Sequence, residues 1–134
     1  MKPARKGRNF ELYIHKVLKP SIPSLHIRAW SGTKANPGDL YTNKMLIDCK
    51  HVAGYSESDI RNWFTKISKE AMYEKKIPVI ILKRSGTQSI QVILGARSIG
   101  LQHLVCDDIV RFYWKCGINI LQNIEAGFVN DTKN

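Results

Sequence analysis

Between Pro78 and Lys83 the chain reads Val79-Ile80-Ile81-Leu82 with no polar interruption. Three of these four residues are β-branched, which favours extended backbone. A strand alternates its side chains between two faces, so a run that is apolar at every position needs cover on both. The run is also far too short to span a bilayer. It therefore predicts an inner strand of a sheet flanked by helices, an α/β arrangement.

The flanking pieces are readable by period. Phe10, Tyr13, Ile14, Val17 and Leu18 fall on one helical face, predicting a helix over about 6–19 that Pro20 closes. Leu25, Ile27 and Ala29 alternate with His26, Arg28 and Trp30 as a strand does, and Gly32, Asn36 and Pro37 mark a loop. Asp39–Thr42 and Met45–His51 read as two strands around a turn at Asn43-Lys44. Ser56-x-x-Asp59 resembles a capping box and opens a second helix on Ile60, Trp63, Phe64, Ile67 and Ala71. Lys66, Lys69, Lys75 and Lys76, with Glu70 and Glu74 interleaved, are assigned to its outer face. Ser89–Leu94 is a further strand. A third helix is expected from Asp107 or Asp108, with Ile109, Phe112 and Tyr113 inward. The expected order is α-β-β-β-α-β-β-α in a single domain, 1–134, with a basic arm over about 1–8 and a frayed tail over about 130–134.

Charge narrows the partners. The net charge is +10, and residues 1–50 carry ten Lys and Arg against only Glu11, Asp39 and Asp48. Such a field suits an anionic polymer or surface. Lys2, Arg5, Lys6 and Arg8 open the chain without an acid among them, and Arg28 and Lys34 stand near the loop; all are candidate phosphate contacts. Cys49, Cys106 and Cys116 are odd in number and form no Cys-x-x-Cys pair, which argues against a disulfide framework or zinc knuckle. His15, His26, His51 and His103 lack metal-ligand spacing. No apolar signal core follows the basic start, so the cytoplasm is the expected compartment, near the nucleoid or in an infected host.

The few acids of the basic half fall into a pattern. Asp48 and Lys50 are two apart on one strand and share a face with Leu46. A two-residue turn at 43 and 44 pairs 41 with 46, 40 with 47 and 39 with 48. Asp39 then opposes Asp48 at the roughly 4.5–5.5 Å Cβ separation of directly paired residues. Two carboxylates that close destabilise a hairpin unless a cation lies between them, and Mg²⁺ or Mn²⁺ is the hard ion that fits.

Glu11 on a basic helix, Pro37-Gly38-Asp39 and then Ile47-Asp48-Cys49-Lys50 on an apolar strand resemble the PD-(D/E)xK nuclease superfamily. Lys6-Gly7-Arg8 before Glu11, the Ser31-Gly32 loop and the Pro78–Lys83 strand look most like its archaeal-type Holliday-junction resolvases. The likeness spans roughly 5–84. It implies a restriction-endonuclease-like αβββαβ core and a metal-dependent phosphodiesterase. By resemblance Glu11, Asp39 and Asp48 hold Mg²⁺, with Mn²⁺ as substitute. Lys50 orients or activates the attacking water, and Ser31 matches a serine near the active site. The chain departs from the pattern in having Gly38 directly before Asp39 and Asp48 where those resolvases usually have Glu.

The expected activity is structure-selective endonucleolytic cleavage of DNA, with paired cuts in a four-way junction leaving 5′-phosphate and 3′-hydroxyl ends. Two alternatives stand beside it: a nuclease of the same fold acting on nicked, single-stranded or foreign DNA, and a non-catalytic protein that binds branched DNA. Paired cuts need two sites, which implies a two-fold homodimer. Phe112, Tyr113 and Trp114 of the third helix are the candidate interface.

Overall fold

A computed structural model describes residues 3–28, 40–101 and 108–127. Helix α1 covers Pro3–Leu18, α2 Glu57–Glu74 and α3 Trp114–Ala126. The strands are β1 His26–Ile27, β2 Leu40–Tyr41, β3 Met45–Val52, β4 Ile77–Arg84, β5 Ile90–Gly95 and β6 Ile109–Tyr113, with one 3₁₀ turn at Ala96–Ile99. They form one mixed sheet in sequential order, β1 to β6. Among the described residues only β3 and β4 run parallel, joined over eight residue pairs, and the other neighbours are antiparallel.

The apolar run is the centre of this sheet, as its composition demands. Val79 and Ile81 are fully buried in a core shared with Phe10, Ile14 and Leu18 of α1 and Leu121 and Ile124 of α3. Ile80 and Leu82 are buried on the other face, with Ile60, Ile67 and Ala71 of α2. Burying each such side chain contributes roughly 1.5–3 kcal/mol. The inward stripe of α1 is narrower than its sequence suggests: Tyr13 is half exposed, and Phe10, Ile14 and Leu18 carry the contact.

The α2 start is as read. The Ser56 hydroxyl accepts from Asp59 N–H at 3.1 Å, and the Asp59 carboxylate accepts from Ser56 N–H at 2.8 Å. The β2–β3 turn keeps the expected register, with Leu40 opposite Ile47 and Tyr41 opposite Leu46. Neither Asn43 nor Lys44 has positive φ, so this turn does not need glycine. Buried Thr42 closes it instead. Its hydroxyl accepts from the N–H of Lys44 at 3.1 Å and of Met45 at 3.0 Å.

One expected element is different. Ile109–Tyr113 is not the start of a helix but strand β6, paired antiparallel with β5 from Gly95↔Ile109 to Gln91↔Tyr113. The order is α-β-β-β-α-β-β-β-α. Five residues are too few to separate a period of 3.6 from one of 2, and β-branched and aromatic residues settle in the sheet. The three aromatics thus do not share a helix: Phe112 is half-buried, Tyr113 is largely exposed on β6, and Trp114 opens α3.

Candidate functional site

Alternation along β3 decides what meets what. Met45, Ile47 and Cys49 enter the core beneath α1, and His51 continues that face, its ring 5.4 Å from that of Phe10. Leu46, Asp48 and Lys50 face α2. The Lys50 ammonium lies 3.5 Å from the Asp48 Oδ2, and both side chains are largely buried, at 29% and 19% exposure. The structure therefore brings together the aspartate and lysine that the sequence paired.

Helix α2 forms the facing wall. Lys50 Nζ stands 5.6 Å from the centre of the Trp63 ring, which is itself 6.3 Å from the ring of Tyr55. Two turns further along α2, Glu70 has its pKa raised. Burial is the main cause; the charges of Asp48 and Glu74 add to it, and Lys66 and Arg28 oppose it. At the end of the helix Glu74 Oε1 accepts from Arg28 Nη2 at 2.7 Å and lies 3.7 Å from Lys76 Nζ. The cations of Arg28 and Lys76 also lie 5.1 and 4.6 Å from the centre of the Tyr41 ring.

Glu70 and Glu74 thus correct the expectation of an outer face: they are half-buried toward the sheet, while Lys66 and Lys69 are exposed. The signal was present. Positions 63, 67, 70, 71 and 74 form one helical stripe, and Ile67 and Ala71 are its apolar members.

The other candidate residues are distributed as follows. Glu11 stands on α1, the helix packed against the opposite face, and pairs with Arg8 at 3.1 Å. The same Arg8 guanidinium donates to the Arg28 carbonyl at 3.3 Å. Ser31, Lys34 and Asp39 lie outside the described residues, as do Lys2 and the side chains of Arg5 and Lys6. Arg28, expected at DNA, is engaged by Glu74 and Tyr41.

Among the described residues no group of three or more His, Cys, Asp or Glu is placed to hold a metal ion. Asp48 on β3 and Glu70 on α2 are hard oxygen donors of the kind a dication takes, near enough for the charge of Asp48 to add to the raised pKa of Glu70.

Compared with known proteins, the chain matches no family model, no curated protein and no solved structure. Its class rests on its own architecture: an α/β protein with a six-stranded mixed sheet flanked by three helices. Among the described residues no helix is long and apolar enough to cross a membrane.

Proposed function

We propose that the chain is a Mg²⁺-dependent, structure-selective DNA endonuclease that cuts four-way junctions in pairs, acting as a homodimer. The observation that carries this reading is the Asp48–Lys50 contact on one face of β3, beside a β2–β3 register that places Leu40 opposite Ile47. The expected pairing of Asp39 with Asp48 rests on that same register. The basic first half of the chain supplies the attraction for a polyanion.

Asp48 and Asp39 would hold the ion; Glu11, which the resemblance also implies, instead stands on the helix across the sheet and pairs with Arg8. When bound, the ion supplies Lewis acidity and lowers the pKa of a coordinated water. Lys50 places a positive charge beside the phosphate as negative charge develops on it. Asp48 keeps that ammonium at the site. Partial burial of the Asp48 and Lys50 side chains strengthens each of these interactions relative to open water.

The test uses a labelled four-way junction and a matching linear duplex, each with Mg²⁺ and with EDTA. Paired cuts in the junction alone, with Mg²⁺ alone, are expected. Asp48→Asn and Asp39→Asn abolish cleavage and retain binding, because the basic surface is unchanged. Lys50→Ala loses at least ~100-fold in rate, the scale of a positioned charge or proton-transfer group. Equal cutting of both substrates moves the protein to a general nuclease, and binding without any cutting leaves a branched-DNA-binding protein.

A further inference from the structure

A lysine ammonium ends a flexible four-carbon stem, so a strand that places its Cα does not by itself place its charge. In this chain two neighbours from different elements meet the Lys50 ammonium. Asp48 Oδ2 lies 3.5 Å away on the same strand, and the Trp63 ring centre lies 5.6 Å away on α2. An indole face attracts a cation within about 6 Å of its centre. Trp63 is itself held, half-buried against the core formed by Leu46, Ile60 and Leu82 and close to Tyr55. The ammonium is thus bounded by a carboxylate and by a ring whose own position the α2 core fixes.

We infer that Trp63 is a positioning residue for Lys50: its ring face, carried by α2, holds the ammonium in the place where it serves phosphodiester cleavage. The inference rests on the nuclease reading and adds a residue on another element to its machinery. It makes the α2 packing a determinant of the rate. It also separates two roles of one side chain, since leucine at position 63 can fill apolar space but has no ring face, whereas phenylalanine has both.

The experiment compares Trp63→Leu, Trp63→Phe and Lys50→Ala, alone and combined, on the junction substrate. Circular dichroism and thermal unfolding of each variant verify the fold. Trp63→Leu is expected to lower kcat about tenfold, in keeping with the loss of a partly desolvated cation–π contact, with little change in KM. Trp63→Phe restores most of that loss. In the Lys50→Ala background Trp63→Leu has no further effect, because the group it positions is gone. A readout independent of cleavage accompanies these: in NMR spectra of the metal-free protein, the Lys50 side-chain protons are displaced upfield by the indole ring current, and Trp63→Leu removes that displacement.

Absence of the displacement in the wild-type chain overturns the inference. So does a folded Trp63→Leu enzyme with unchanged kcat, or one whose loss is the same with and without Lys50. Should Trp63→Leu fail to fold, Trp63→Phe and the wild-type spectrum decide: no displacement, or a phenylalanine variant as slow as Lys50→Ala, refutes positioning by the ring. A wild-type chain that cuts neither substrate removes the nuclease reading and with it the catalytic role of Trp63, an outcome distinct from failure of the ring contact.

Discussion

The carboxyl of Glu70 sits where burial opposes its charge, so its pKa lies above the ordinary 4.5. A raised carboxyl favours the folded state fully below 4.5, and that contribution is lost as pH rises through the raised folded value. At neutral pH the wild-type chain therefore carries a cost that Glu70→Gln lacks. The variant is expected to melt at higher temperature than wild type near neutrality, and the gap should close below about pH 4. A gap that stays constant across that range would trace the effect to packing rather than to ionisation. Asp48 and Lys50 were legible in sequence because a strand repeats every two residues. Glu70 was marked only by its place on the Ile67–Ala71 stripe, and the interleaving of Lys and Glu along α2 masks that mark. The stripe also does not show that the strand it faces carries Asp48.

Among the elements, α2 and the β2–β3 hairpin could be read closely, since each carries local hydrogen-bonding side chains at fixed offsets. The α2 cap is testable: Ser56→Ala should cost about 1 kcal/mol in urea unfolding, through loss of the hydroxyl that accepts from Asp59 N–H. Strand β6 is not legible in sequence, because Ile109, Phe112 and Tyr113 satisfy a helical spacing as well as an extended one. What selects the strand is pairing with β5, the preceding strand, which leaves no mark within the five residues themselves. The same region contains a close contact between layers. Gly117 of α3 is buried over β5, and a Cβ built there would lie 2.3 Å from the Val92 Cγ2. Gly117→Ala should therefore destabilise the fold by ~1–3 kcal/mol, as overpacking does, despite the better helix propensity of alanine. Adding Val92→Ala should relieve the overlap, so the double variant is expected to lose less than the two single losses added together.

For the molecule as a whole, the proposed DNA binding would respond to salt through the basic start of the chain. Arg8 is already committed to Glu11 and to the Arg28 carbonyl, so neutralising it would disturb the fold as well as the field. Neutralising Arg5 and Lys6 alone is the cleaner test, and it should flatten the slope of log affinity against log salt by about 2. An unchanged slope would show that this segment does not touch the DNA backbone. Sedimentation at micromolar concentration should give twice the chain mass, and a monomer that only nicks would favour a nuclease of another kind. The sheet also sets an order of opening. Among the described residues, strands β3 and β4 share eight pairs at its centre, whereas β1 and β2 share two at its edge. Long buried ladders exchange their amide hydrogens only near global unfolding, and short edges exchange in small local openings. Deuterium should therefore enter the β1–β2 edge early and the Asp48 and Lys50 amides last. His26 and Tyr41 would keep the fast clock of the molecule and the Asp48–Lys50 pair its slow one, so the edge could yield to whatever presses on it while the pair beside it stays still.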